Sequence, residues 1–295
     1  MKIVSVINYK GGVGKTTITA NLAAEMARQG KRVLAIDLDP QTNLTFSFIP
    51  VDEWSQKYRD KTIQNWFNAI IEGANPIPSL KDLIVPVKGI GIDLICSHLG
   101  LIDVDIELAR SYAPHSLGQH ERHFVKTYSY IKNELEKLRE DYDVVLFDCP
   151  PNFGTVTRNA LIASDYYVVP AKMDALSTLG INQLRGRVQK LVSQYNEYVD
   201  TEEQRVNPQF LGVIATMISL WDGAPIQAQR TYINQLQNDG VSIFSAKLRE
   251  NKTIYASAPE YGIPVVLQSA YGPTYVQVIV ELRNLTTEFM EKVGV

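Results

Sequence analysis

The chain lacks any long apolar run. Nothing in it approaches the roughly 18 consecutive apolar residues of a membrane-spanning helix, so no such span is expected. Cysteine is scarce: Cys96 and Cys149 are the only two in 295 residues, which rules out a disulfide-stapled scaffold and suits a reducing cytosol. Neither sign of charge dominates. Lysine and arginine number 29 against 32 acidic residues, so any nucleic-acid contact has to come from a local patch. Histidine is also rare, and three of the four (His115, His120 and His123) fall within Tyr112–His123. Glu121 is adjacent, but the spacing matches no metal-site ligand set, and the segment reads as an exposed polar loop. There is no internal repeat, no low-complexity segment and no Gly-x-Gly-x-x-Gly turn, and the last absence disfavours a dinucleotide-dependent oxidoreductase. Hydrophobic residues make up 45% of the chain, enough for a folded globular protein with one large core or two small ones.

The most informative segment is Lys10-Gly11-Gly12-Val13-Gly14-Lys15-Thr16-Thr17. It follows the apolar run Ile3–Ile7 and precedes a helical pattern through Arg28. A strand, a glycine-rich turn and a helix in that order form the setting of a phosphate-binding loop, with backbone N–H groups and a helix start cradling the phosphates. Gly11, Gly12, Val13, Gly14, Lys15, Thr16 and Thr17 are therefore the expected nucleotide contacts. Lys15 would reach the β- and γ-phosphates and Thr16 would hold Mg²⁺. Tyr9 stands where the usual loop has its first glycine, and Lys10 adds a second positive charge whose role the loop alone does not explain. The opening residues run straight into this strand and loop, so no cleavable leader is expected.

Val33–Leu38, Asp143–Phe147, Tyr166–Val169 and Phe210–Met217 read as further strands. Thr16–Arg28, Lys126–Arg139, Val156–Ala163 and Leu176–Tyr195 read as helices between them. The alternation predicts an α/β fold of the P-loop NTPase type, a doubly wound, mostly parallel sheet with helices on both faces. Ligands in such sheets sit at the carboxyl ends of strands. Residues 1–295 are expected to form one domain, with a variable, insertion-rich region at about 46–125. In that region Trp54, Trp66 and Phe67 are expected core anchors, Thr62–Glu72 and Leu101–Arg110 helices, and Gly91–Cys96 a strand.

Three other motifs fall at strand ends. In Asp37-Leu38-Asp39-Pro40-Gln41-Thr42-Asn43 the two carboxylates at i and i+2 share a side of an extended strand. Asp39, nearer the turn, is the better candidate to orient attacking water, although Asp-Pro is equally a common turn start. The run Asp143–Phe147 ends in Asp148-Cys149-Pro150-Pro151, and Asp148 would take Thr16 or magnesium-bound water as partner. Cys149 reads as a packed thiol, and Asn159 as a brace for the loop before it. Pro170–Asp174 is a strand end that can approach the nucleotide or a second subunit. Met217 and Pro259, the latter in an expected rigid turn Ala258–Pro264, are candidate walls for the base.

Together these motifs resemble the ParA/MinD family of deviant P-loop ATPases, and more closely its ParA (Soj-like) partition branch. The likeness spans Met1–Asn43, Asp141–Leu184, Phe210–Met217 and Ser257–Val266, about half the chain. It implies ATP and Mg²⁺ as ligands and an ATP-held sandwich dimer. Lys10 would be the signature lysine that crosses to the partner's nucleotide, Lys15 the phosphate lysine, Thr16 the magnesium ligand, Asp39 the aspartate tied to hydrolysis and Asp148 the strand-end acid. Slow hydrolysis would be stimulated by a ParB-like or cargo-adaptor protein. The dimer would bind non-specific DNA in a cytoplasmic, nucleoid-associated setting and move a plasmid, chromosome or other large cargo. Two departures stand out. Ser257 replaces the usual glutamate of the turn beside adenine, and Lys247-Leu248-Arg249-Glu250-Asn251 displaces the usual basic residue of an "IPR" stretch. No DNA-reading domain precedes the first strand, so promoter autoregulation is not expected.

DNA binding needs phosphate-facing cations. Arg185, Arg187 and Lys190 lie within six residues of one expected helix, and Arg230, Lys247, Arg249 and Lys252 form a second group. A solvated basic face is the competing reading. The alternative role, a MinD-like membrane-associated regulator, relies on a basic amphipathic C-terminal helix. Here Glu281–Val295 carries three glutamates and two cations, which suits a packed terminal helix. An iron–sulfur relative would need surface cysteines that the chain does not offer.

Overall fold

The computed structural model describes the backbone of residues 1–110 and 117–295, and their side chains except at 109, 117–119 and 257–261. Runs of Val, Ile and Leu form β1 (Lys2–Val6), β2 (Val33–Asp37), β3 (Val85–Val87), β4 (Ile92–Ile95), β5 (Val144–Asp148), β6 (Tyr166–Lys172) and β7 (Gln209–Thr216). They join one seven-stranded sheet in the order β3-β4-β2-β5-β1-β6-β7. All pairings are parallel except β3 with β4 at one edge. Strands covered on both faces are apolar throughout rather than alternating, and every residue of β2 and β5 is buried.

Alternate residues of each central strand feed opposite cores. Ile3, Leu34, Ile36, Val145 and Phe147 face one cluster. That side is covered by α4 (Ile63–Ile71), α5 (Leu101–Arg110), α6 (Leu117–Tyr128), α7 (Tyr130–Glu136), α8 (Thr155–Ala163), α9 (Ala175–Tyr198) and α10 (Gln227–Asn238). Val4, Val6, Ala35, Val144 and Leu146 face the other. There α1 (Lys15–Arg28), α2 (Asn43–Phe46), α11 (Lys252–Tyr261) and α12 (Pro273–Val293) pack. The remaining elements are α3 (Val51–Lys57), a hairpin of β8 (Leu220–Trp221) and β9 (Ala224–Pro225), and 3-10 turns at Leu80–Leu83, Glu202–Gln204 and Val265–Leu267. The expected doubly wound sheet is thus present. Its strand order reverses around β1 and β5, the place where such sheets bind ligands.

The irregular region contributes two strands to the same sheet. β4 and the helices α4 and α5 fall where the pattern predicts them. Thr62 closes α4 with a capping box to Asn65, and Trp66 and Phe67 are core residues as expected, while Trp54 is half-buried. Three expectations are corrected. The polar loop Tyr112–His123 is helical from Leu117, so His120 and His123 ride on α6; His115 lies outside the described residues. Lys126–Arg139 is two helices, broken at Ser129, whose hydroxyl is within hydrogen-bonding distance of Val125 O (2.6 Å) and the Tyr195 hydroxyl (2.7 Å). The turn at Ala258–Pro264 begins late, because α11 runs to Tyr261 before Gly262 turns the chain at φ 64°. α12 is a packed helix, burying Val278, Leu282, Leu285 and Phe289. Among the described residues, no helix is long and apolar enough to cross a membrane and no cluster of His, Cys, Asp and Glu is set to hold a metal through those residues alone.

Candidate active site

The phosphate loop joins β1 to α1. Gly12 and Gly14 adopt positive φ of 66° and 87°, a region that L side chains enter only with strain. Gly14 is the N-cap of α1, no side chain closes that end, and no acidic residue occupies its first turn. Its free N–H groups therefore face the loop, ready for an anion. Thr216, at the end of β7, secures the loop by donating to Val13 O at 2.9 Å. Tyr9, in the position of the missing glycine, turns its ring to Phe153 at 5.9 Å between centroids. It thus links the phosphate loop to the loop after Asp148.

Lys15 is 5% exposed and donates to Lys10 O at 3.3 Å. Burial pulls its pKa down, and the charges of Asp148 and Asp39 oppose that. Asp148 and Asp39 act on this ammonium, and Asp37 acts on Asp148 in turn. Asp37 and Asp148 are register partners on β2 and β5, and both are fully buried. Thr16 Oγ1 donates to Asp148 Oδ2 at 2.6 Å, while Asp148 Oδ1 is buried without a hydrogen-bond partner. Burial, then the charge of Asp37, push the Asp148 pKa well up. Asp37 is pushed up to about 7 by burial, although it accepts from Thr45 N and Oγ1, both at 2.8 Å, and from Asp39 N. Three acids against one buried ammonium leave a site short of positive charge, with one orphaned oxygen on the carboxylate that Thr16 bonds. That donor set suits Mg²⁺ or its bound water.

Asp39 is 7% exposed. Its bonds are those of the turn reading. Its Oδ1 accepts from Gln41 N at 2.9 Å, the bond of a turn cap, and its backbone O accepts from Ser97 Oγ at 2.7 Å. Lys10 instead points to the β6 end, with Nζ 2.9 Å from Asp174 Oδ2 and 3.5 Å from Ser177 Oγ. Asp174 caps α9 through Ser177 N at 2.8 Å. Burial works against its charge, but Lys10 and the α9 bonds hold its pKa below the usual carboxylate value. The two cysteines are buried, and burial drives both thiols up, Cys96 to about 12 and Cys149 further. They are packed, protonated groups. Asn159 donates to Thr127 O on α6 and to Thr155 O in its own helix, so it ties α6 to α8 rather than bracing the loop before α8.

Beside Gly14 and Thr17 opens a cavity of about 310 Å³, walled by Met217, Arg249, Asn251 and Tyr255 among others. Met217 stands in it as the sequence suggests, at a positive φ of 52°. The side chain of Pro259 lies outside the described residues. Asn251 and Tyr255 were not foreseen. Thr216 could have been found, since it ends a strand that points at the loop. A larger cavity of about 780 Å³, against α5, α6 and α8, reaches Asn152 and Gly154 but none of Gly11–Thr17. The smaller one is the better place for a base.

The basic residues do not form one patch. An α-helix turns 100° per residue, so Arg185 and Arg187 flank the buried stripe Ile181, Leu184, Val188 and Leu191 on opposite sides. Arg185 lies over the Phe210 ring and Arg187 over the Tyr9 ring, at 4.9 and 5.3 Å. Lys190 is exposed on the Arg187 side. Arg249 is engaged by Glu281 at 2.7 Å and by Gln277 at 2.6 Å. Its charge is spent within the protein.

Comparison with known proteins agrees with this fold. The family model described as "AAA domain" matches residues 1–201. The sporulation initiation inhibitor protein Soj of Bacillus subtilis is 28% identical over 266 residues, covering 90% of each chain. The chromosome partitioning protein ParA of Caulobacter vibrioides is 28% identical, covering 90% of this chain and 87% of that one. Among solved structures, apo McdA of Cyanothece superposes with a TM-score of 0.73 at 21% identity, covering 98% of this chain and 99% of the other.

Proposed function

This chain belongs to the AAA-domain family, within the ParA/MinD superfamily of P-loop ATPases, and from that membership we propose that it is a slow, Mg²⁺-dependent ATP hydrolase of the partition type. The observation that carries the reading is the convergence of Lys15, Thr16 and the half-satisfied Asp148 on an uncapped helix start. Lys15 and the α1 amides bind phosphate, Thr16 and Asp148 hold Mg²⁺ directly and through water, and Met217 with its neighbours takes the base. Bound Mg²⁺ supplies charge neutralisation for the developing phosphate oxygens. Asp39 orients the attacking water from a turn that Ser97 and Asp37 hold still. Residues 1–295 act as one ATPase domain, supported by β3 and β4 lying in the common sheet.

In the same reading ATP closes two copies into a dimer. Lys10 leaves Asp174 and reaches the partner's nucleotide. The pairing is supported by the exposure of the Lys10–Asp174 contact, whose side chains are 38% and 41% accessible. Leu176 and Leu179 at the start of α9 are 76% and 61% exposed and await cover. The dimer binds DNA without sequence preference on the nucleoid, a partner protein stimulates hydrolysis, and a plasmid, chromosome or other large body is the cargo. Dimerisation doubles each cationic surface, so binding gains avidity and falls steeply with salt. The test is calorimetry of ATP with Mg²⁺, followed by a mobility shift of unrelated duplexes with the Asp39→Ala protein. Tight binding and an ATP-dependent shift at low salt are expected. No shift at tens of micromolar, with sedimentation of the same protein on anionic liposomes, would replace DNA by a membrane as the track.

A further inference from the structure

The N-terminus of α8 is closed by another helix. Gly154 is its N-cap and offers no side chain. Asp105, on α5, takes that place: its Oδ1 accepts Val156 N–H at 3.1 Å. Its Oδ2 lies so near Gly154 that a Cβ there would sit 1.7 Å away. The Gly154 φ is −73°, so glycine is demanded by the carboxylate rather than by the backbone. Asp105 is not free to drift. Leu101, Val104 and Leu108 of α5 are buried in the same core cluster as Val156 and Ala160 of α8.

The segment leading into α5 touches the other acidic loop. Ser97, just after β4, bonds Asp39 O through its hydroxyl and takes Thr45 Oγ1 on its N–H at 3.0 Å. Within nine residues, one stretch of chain therefore grips both the loop after β2 and the loop after β5. The latter loop has further ties. Asn152 Oδ1 accepts Gly154 N–H at 3.0 Å and Thr157 Oγ1 at 3.2 Å, and Arg158 Nε donates to Phe153 O at 3.0 Å. Phe153 then meets Tyr9 of the phosphate loop.

We propose that Asp105 is a positioning residue for hydrolysis: by capping α8 across the gap from α5 it fixes the loop Cys149–Gly154 against the phosphate loop. The inference rests on the ATPase reading above. It makes α5, which belongs to the variable region, part of the machinery that sets turnover without touching nucleotide. A carboxylate at a helix N-terminus contributes both an acceptor and a favourable charge. Asp105→Asn keeps the acceptor and Asp105→Ala keeps neither.

The experiment is steady-state ATP turnover of wild type, Asp105→Ala, Asp105→Asn and Gly154→Ala, with hydrogen exchange of peptides covering residues 149–157 and 7–17. Asp105→Ala is expected to lower kcat about tenfold with KM for ATP within about twofold of wild type. Exchange should quicken in 149–157 and stay unchanged in 7–17. Asp105→Asn should recover kcat to within about threefold of wild type. Gly154→Ala, which sets a methyl group where the carboxylate lies, should reproduce the loss with Asp105 still present, and it decides the matter should Asp105→Ala not fold. Wild-type kcat in Asp105→Ala or Gly154→Ala, or an Asn variant as impaired as Ala, would overturn the inference alone. A wild type without ATP turnover would overturn the ATPase reading and this inference with it.

Discussion

Replacing Asp148 by asparagine is expected to make the nucleotide-free protein more stable while abolishing its response to Mg-ATP. Asp37 and Asp148 face each other in register on neighbouring strands, fully buried. With strands ~4.8 Å apart and an effective dielectric near 20, the two carboxylates about 5 Å apart repel by about 3 kcal/mol when both are ionised. Lys15 offsets part of this, as its attraction to Asp148 and Asp39 indicates. Asparagine keeps an acceptor for Thr16 and removes the repulsion. In a chain of 295 residues, about 3 kcal/mol corresponds to a melting shift of about 5 °C. The effect depends on pH with a definite sign. Asp37 is raised to about 7 in the folded protein, so the folded state holds its proton more tightly than the unfolded chain. Its contribution to stability is full below the ordinary carboxylate pKa and is lost as pH rises through 7. The advantage of Asp148→Asn should therefore be larger at pH 8 than at pH 6. The assay is thermal melting without nucleotide or metal at both values, repeated with Mg-ATP. Wild type should gain about 2.7 kcal/mol at a hundredfold excess over Kd, and the variant far less. A variant that melts below wild type at pH 8, or by the same margin at both pH values, would refute the reasoning.

Other outcomes follow from the same geometry. Lys15→Ala should weaken ATP binding at least about a hundredfold, since charge-assisted phosphate contacts of about 3 kcal/mol are removed; unchanged affinity by calorimetry would sink the site assignment. In an Asp39→Ala background, light scattering should show dimers with ATP, and Lys10→Ala should return them to monomers while ATP is still bound. A salt series of DNA shifts should lose about 3.6 units of slope per dimer when Arg187 and Lys190 are both replaced by alanine, four cations in all. Arg249→Ala should leave that slope unchanged and instead lower the melting temperature, because its partner is Glu281.

The parts of this molecule that were legible in the sequence are those fixed locally. A glycine loop between an apolar strand and a helix, followed by Lys and Thr, is the setting of a phosphate loop, and buried parallel strands announce themselves by unbroken Val and Ile. Lys15, Thr16, Asp39 and Asp148 accordingly meet where strand ends predict. What escaped was decided by distant contacts. The break at Ser129 depends on Tyr195 from another helix. Counting Arg185, Arg187 and Lys190 as neighbours ignored the helical angle that turns the first two to opposite flanks. Arg249 looked like a free cation because Glu281, its partner, lies 32 residues on. The reach of Asp105 to Gly154 spans α5 to α8, and no local spacing encodes it.

The bond between Thr216 and the carbonyl of Val13 bears on how the protein is made. The ribosome delivers the phosphate loop first, yet β1 has no strand to pair with until residues 144–148 emerge. The loop is not tied down until Thr216 follows, and Asn251 and Tyr255 come later still. Such long-range pairing is slow and comes late in folding. A nascent chain therefore carries the whole glycine-rich motif before the strand and the contact that hold its loop can form.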